Sequence, residues 1–394
     1  MPTDERWLLP DGVEEILPDE AWRLEGIRRE LTDLFYRNGY ELVVPPLMEY
    51  LESLLTGVGK DLDLQTLKLI DQLTGRLMGV RADMTPQVAR IDAHYLKRSS
   101  VVRLCYLGPV LFSRPLALGG SREPLQVGAE LFGYAGPHGD CEILQLMVRA
   151  LEIVGLERPH IDLGHVGVFR GLAREAGLSD DQEIELFDAL QRKSTSDIEA
   201  ALSGCAISSR ARDMLLSLVE YNGDVSVISE ARRGLTDAGP EVTAALDNVE
   251  EVANLVSQYL PEVSLYCDLA ELRGYYYHTG VVFSAFVPGV GQAIARGGRY
   301  DNIGEPFGHA RPATGFSADL RQLLRLANSK PEQPGLAIAA PFSEDPELRK
   351  QIQRLRRSGE RVIPCLPGQA ENDIKTACDR KLVNKNGKWV TTPL

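Results

Sequence analysis

The sequence predicts an α+β fold followed by a small C-terminal α/β unit, and three observations carry that reading. Short apolar runs bounded by glycine and proline mix with amphipathic helical stretches, without a strict strand–helix–strand series. Residues of about 173–260 read as helical almost throughout and interrupt a strand-rich chain. The polar stretch 328-NSKPEQPG-335, broken by two prolines, sets apart the last 60 or so residues. The expected division is a core over 1–328 with a helical insertion at about 173–260, then an α/β unit over 333–394.

Each element follows from its pattern. Trp22, Leu24, Ile27, Leu31, Leu34 and Phe35 recur at helical spacing, and Gly39 stops that helix. The run 40-YELVVPPLMEY-50 reads as a strand entering a rigid Pro45-Pro46 turn. Residues 66–81 suggest a hairpin turning at Gly75, and Thr85-Pro86 opens a short helix. Strands are expected at 101–108 and 124–133, flanking a loop rich in Gly and Pro. A helix from about Gly139 to Val154 follows, and 160–172 reads as strand, turn and helix start. Strands return at 263–270, 276–287 and 291–298, before a helix from about Ser317 to Ala327. Beyond the linker come a strand at 336–341, a helix at about 344–357, a strand at 361–366 and the tail NKNGKWVTTPL.

The totals exclude several classes. With 43 Lys and Arg against 56 Asp and Glu, the net charge of -13 gives no general footprint for a nucleic-acid backbone, and no nucleic acid is expected as partner. Six scattered cysteines without a CxxC imply buried, reduced thiols and neither a zinc ribbon nor a disulfide scaffold. The six histidines show no HxxxH pair; His160, His165 and His309 read as structural or surface residues, and no metal or cofactor is expected. The stretch 57-GVGK-60 lacks the rest of a phosphate loop. No apolar run reaches membrane-spanning length and MPTDERWLLPDG lacks a signal pattern, so the cytoplasm is the expected compartment.

The motifs, in order, resemble the catalytic core of class II histidyl-tRNA synthetases. The opening 10-PDGVEEILP-18 is similar to that family's start, and 83-DMTPQVAR-90 and 103-RLCYLGP-109 to the flanks of its second class motif. The stretches 272-LRGYYYHTGVVF-283 and 297-GGRYDNI-303 resemble the two histidine-specific signatures, and 313-ATGFSADLRQLL-324 sits where the third class motif belongs. The resemblance covers about 8–328 and implies a class II synthetase-like antiparallel sheet with flanking helices.

The departures bear on function. The resemblance implies an Arg at position 112 and an acid at 114, where this chain has Phe112 and Arg114. It implies Glu-Arg where the chain has Arg321-Gln322, and an Arg where it has Gly280. Two cationic contacts to ATP are therefore missing, and Phe cannot stabilise the charge of an acyl-adenylate transition state. The amino-acid side survives: the resemblance maps the histidine pocket onto Asp83, Thr85, Gln126, Glu130, Arg273, His278 and Tyr300, with Asp83 in place of Glu and His278 in place of Tyr. Asp83, Gln126 and Glu130 would serve the ammonium, Arg273 the carboxylate, and His278 and Tyr300 would frame the imidazole.

This combination looks like the ATP phosphoribosyltransferase regulatory subunits, synthetase paralogues without aminoacylation. The resemblance implies a non-catalytic regulatory subunit of a glycosyltransferase complex, required for activity and histidine feedback in the first step of histidine biosynthesis. It implies a homodimer that joins a short-form ATP phosphoribosyltransferase catalytic subunit in a hetero-octamer. Two alternatives stand beside it: a divergent histidine-activating, ATP-dependent ligase, and a free-standing histidine-binding protein.

Overall fold

The computed structural model describes residues 8–57, 60–115, 120–272, 274–327, 336–369 and 377–394. The chain forms two compact units, Met1–Glu15 with Leu24–Ser329, and Ile16–Arg23 with Lys330–Leu394.

Helix α1 (Pro18–Arg37) buries Ile27, Leu31 and Phe35 at the spacing that predicted it. Short strands β1 (Glu41–Leu42) and β2 (Met48–Tyr50) replace the single expected strand, since Pro45-Pro46 breaks it. Helices α2 (Leu51–Leu54) and α3 (Lys60–Gln65) precede the hairpin β3 (Leu67–Ile70) and β4 (Leu77–Val80); β4 also pairs with β2. Helix α4 (Thr85–Arg90) carries its proline in the first turn and leads to β5 (Val102–Pro109) and β6 (Leu125–Phe132). Then come α5 (Pro137–Ile153), β7 (His160–His165) and α6 (Val166–Ala176).

The insertion continues as α7 (Asp180–Gln191), α8 (Thr195–Ser203) and α9 (Ser209–Ser217), the two-residue β8 (Asn222–Gly223), α10 (Ser226–Gly234) and α11 (Pro240–Tyr259). Ser179, Ser194 and Ser208 cap three of these helices with their hydroxyls, as serine does best at that position. The sheet is completed by β9 (Ser264–Asp268), β10 (Val281–Phe286), β11 (Ala295–Arg299) and β12 (Ala313–Asp319), followed by α12 (Leu320–Leu326). Its order is β1-β5-β6-β12-β11-β10-β7-β9-β8. Pairing is antiparallel from β5 through to β7 and parallel at β1/β5 and β7/β9.

Strand β6 shows how the sheet separates core from site. Val127, Ala129 and Leu131 join the main core with Phe35, Met147 and Phe316. Gln126, Glu130 and Phe132 take the opposite face by the period of two; there Phe132 packs with Met84, Leu104, Tyr106 and Tyr300.

Two expectations are corrected here. The strand expected over 276–287 begins only at Val281, because 274–277 is a turn opened by Gly274 at φ +72°. The helix expected from Ser317 starts at Leu320, because β12 runs to Asp319 and the Asp319 side chain caps the helix by accepting from the Arg321 amide.

The second unit holds β13 (Ala337–Ala340), α13 (Pro346–Arg357), β14 (Val362–Pro364), β15 (Cys378–Lys385) and β16 (Lys388–Pro393), with sheet order β14-β13-β15-β16. The tail is thus half of a hairpin, with Asn386 at φ +52° and Gly387 at φ +80° in the turn that an Asn-Gly pair favours. Among the described residues, no helix is long and apolar enough to cross a membrane.

Candidate functional site

The candidate residues arrive on three elements. Asp83 and Thr85 lie where β4 passes into α4, Gln126 and Glu130 stand two turns of the pleat apart on β6, and Tyr300 follows β11. The fold joins these five in one hydrogen-bonded network. Asp83 Oδ1 accepts from Gln126 Nε2 at 2.7 Å and from the Thr85 amide at 3.0 Å. Gln126 Oε1 accepts from the Met84 amide at 2.9 Å, which fixes its amide orientation. The Thr85 hydroxyl lies 3.2 Å from Asp83 Oδ1 and 3.0 Å from the Tyr106 hydroxyl. Tyr106 donates to Glu130 Oε1 at 2.8 Å, and Tyr300 donates to Glu130 Oε2.

Glu130 is only 1 % exposed, and two glycines make its position possible. A Cβ on Gly315 would stand 1.5 Å from Glu130 Oε2, and one on Gly128 would stand 2.5 Å from the Tyr106 hydroxyl. Burial pushes the Glu130 carboxyl well above the usual carboxylate range, and the nearby Asp83 charge adds to the rise. Among the described residues, no lysine or arginine pairs with Asp83 or Glu130. Among the described residues, then, the buried Glu130 has no cation beside it, which a buried carboxylate needs when ionised.

His278 stands beside this network, its ring centroid 6.5 Å from that of Tyr300, with Nδ1 3.1 Å from the Gly274 carbonyl. Arg273 lies outside the described residues. Two residues that sequence reasoning missed complete the site. Tyr106 bridges Thr85 and Glu130, and Tyr277 stacks 5.1 Å from Tyr300 with its hydroxyl buried and without a hydrogen-bond partner among the described residues. The alternation of β5 offers Tyr106 as inward-facing, but the β5/β6 register that sets it over Gly128 is not written in either strand alone.

A cleft of about 410 Å³ adjoins the network through Ala82 and Gln126. Phe112 and Gln322 line it, where two nucleotide-binding cations were expected to be missing. Arg325, which also lines it, is paired with Glu14 at 3.1 Å. Among the described residues no cluster of His, Cys, Asp and Glu could hold a metal ion. The six cysteines are free thiols, five buried and Cys205 half-buried.

Known proteins share this chain's design from end to end. Residues 12–323 match the family described as Histidyl-tRNA synthetase, and residues 334–392 the one described as ATP phosphoribosyltransferase subunit HisZ C-terminal domain. An ATP phosphoribosyltransferase regulatory subunit of Azotobacter vinelandii is 54% identical over 395 residues, covering 100% of both chains. Another, of Alkalilimnicola ehrlichii, is 54% identical over 393 residues, covering 99% of this chain and 98% of that one. A solved Bacillus halodurans protein, described as an ATP phosphoribosyltransferase regulatory subunit/histidyl-tRNA synthetase, superposes with a TM-score of 0.82 at 26% identity, covering 94% and 96%.

These likenesses correct one expectation. The relatives are regulatory subunits of ATP phosphoribosyltransferase, so the description of a glycosyltransferase complex does not stand. The chain belongs to the ATP phosphoribosyltransferase regulatory subunits, paralogues of the class II histidyl-tRNA synthetases.

Proposed function

We propose that this regulatory subunit senses histidine at the Asp83–Gln126–Glu130 network and passes its occupancy to a short-form catalytic subunit, which carries the phosphoribosyl transfer. The step belongs to histidine biosynthesis, and the cytoplasm is its compartment. One observation carries the reading: two carboxylates, one of them buried, share a network with no basic side chain among the described residues. An α-ammonium group supplies the missing charge through charge-assisted hydrogen bonds. Thr85 and Gln126 orient Asp83, while Tyr300 and His278 offer ring faces and edges to an imidazole. Calorimetry with L-histidine, on the chain alone and with its catalytic subunit, tests the proposal. Absence of binding in both preparations would sink it.

The assembly unit in this reading is a homodimer that joins catalytic subunits in a hetero-octamer. An exposed apolar surface supports pairing: Val44 is 81 % exposed, and Leu42, Leu47, Met48, Leu77 and Tyr95 are exposed as well. Val44, Pro45, Pro46 and Met48 also line a groove of about 590 Å³ in the first unit. Light scattering on the wild type and on Val44→Glu decides between pairing and a monomer. The domain division at 1–328 and 333–394 belongs to the same proposal; limited proteolysis within 328–335 that releases two stable pieces would support it.

A further inference from the structure

The turn 274–278 has two occupied sides. On one side Tyr275, 2 % exposed, inserts between helices α6 and α7. Its ring lies 5.3 Å from Phe169 and 5.4 Å from Phe187, and its hydroxyl donates to Glu183 Oε1 at 2.7 Å. The Arg170 guanidinium sits 4.7 Å above that ring. Arg170 Nη2 also donates to the carbonyls of Tyr275 at 2.9 Å and His278 at 3.1 Å. On the other side, Tyr277 and His278 back the ring of Tyr300, whose hydroxyl covers Glu130.

Within the turn itself, the Gly274 carbonyl accepts from the amides of Tyr277 and His278, each at 2.8 Å. His278 Nδ1 lies 3.1 Å from the same carbonyl, and the Tyr275 amide donates to the Leu272 carbonyl at 2.9 Å; the contacts from α6 and α7 add to these short-range bonds. A ligand that takes the Tyr300 position at Glu130 Oε2 displaces that phenol. The Tyr300 ring packs on Tyr277 and His278, so a shift of that ring is coupled to the turn.

We propose that the helical insertion latches the pocket: Arg170, Glu183 and Phe187 hold Tyr275, and through the turn 274–278 they keep Tyr300 on Glu130 until a ligand enters. The latch as a ligand gate rests on the network being the histidine site. Its consequence is reciprocal: whatever moves α6 and α7 changes ligand affinity, and ligand binding loosens the grip on those helices. Arg170 and Glu183 are positioning residues, acting on the pocket through Tyr275.

The test compares Tyr275→Phe, Glu183→Ala and Glu183→Gln with the wild type, by amide hydrogen exchange over 274–279 and by calorimetry with L-histidine. Tyr275→Phe keeps the ring and loses one bond to a charged acceptor. It and Glu183→Ala raise exchange in the turn and tighten histidine binding by up to roughly tenfold, since the closed state loses support. Glu183→Gln keeps an acceptor oxygen and stays within about twofold of wild type in both readouts. Unchanged exchange and affinity in Tyr275→Phe and Glu183→Ala would overturn the latch, as would weaker histidine binding in both. If the wild type binds no histidine, the pocket reading fails, and exchange alone judges the grip: faster exchange in Tyr275→Phe with Glu183→Gln at wild-type rates upholds it, and unchanged exchange removes it.

Discussion

Arg299 donates to Asp140 Oδ2 from Nε at 3.2 Å and from Nη2 at 3.0 Å, with Arg299 5 % and Asp140 0 % exposed. The same guanidinium reaches the carbonyls of Tyr134 and Gly136, so it ties β11 to the start of α5 and sets the course of the chain into Tyr300. Removing one partner of a buried pair strands the other charge. Arg299→Met should therefore cost about 3–5 kcal/mol by urea denaturation. The double variant with Asp140→Leu should cost less than the sum of its singles, because neither charge is left alone.

His165 gives the fold an acid-sensitive point. Its Nδ1 accepts from the Gly167 amide at 3.0 Å and caps α6. Burial lowers its pKa to about 4, with the positive charges of Arg170 and Arg299 adding to the fall and a hydrogen bond with Asn248 opposing it. The folded chain keeps the ring neutral while the unfolded chain protonates it near 6.5. Stability from this group is thus intact above pH 6.5 and is lost as pH falls to about 4, by about 3 kcal/mol in total. His165→Asn retains a capping oxygen and should flatten the stability profile across that window by the slope of one proton. Identical slopes for the two proteins would refute the assignment.

Phe112 and Gln322 face one cleft, and the Arg325 beside them is already paired with Glu14. Transfer at a phosphate needs cations aimed at charge that develops on phosphoryl oxygens. The purified chain should show no histidine-dependent ATP–pyrophosphate exchange near the rate of about 1 per second or more expected of working enzymes. Phe112→Arg alone should not restore it, since Gln322 and Arg114 remain. Exchange at that rate would revive the ligase reading.

What the sequence made legible was periodic. The apolar stripe of α1, the β3/β4 hairpin and the face-sharing of Gln126 and Glu130 each repeat with a fixed period, so each is readable without a partner. The β15/β16 hairpin was missed because Asn384, Lys385 and Lys388 hide its strands, although Asn386-Gly387 marks the turn. Residues 276–278 of the turn read as the start of a strand because their aromatics have strand propensity; the anchors of the turn, Arg170 and Glu183, lie about a hundred residues upstream. The network was legible only through motif order, since Asp83, Glu130 and Tyr300 meet by register and crossover. Tyr106 lies within 103-RLCYLGP-109, but nothing in that stretch sets its phenol against Glu130; the β5/β6 register does.

Glu130 separates a ligand site from a structural relic. Burial holds its carboxyl toward the neutral form, against the opposing pull of the Tyr106 hydrogen bond. Glu130→Gln keeps the size and one acceptor oxygen, puts an NH2 donor where a protonated carboxyl has its O–H, and removes the option of charge. Without ligand, the variant should therefore be as stable as the wild type or more so near neutral pH, because a raised carboxyl pKa costs stability as pH rises from the unfolded value toward the folded one. With histidine the order should reverse. An arriving ammonium favours the ionised carboxylate, and a bond to a charged group is worth about 1.5–3 kcal/mol, or roughly 10- to 100-fold in affinity. The wild type should also release a proton on binding, visible in calorimetry as a heat that changes with buffer ionisation enthalpy; the variant should not. Equal affinity in the two proteins with no difference in proton release would mean that Glu130 holds the sheet together and reads no ligand.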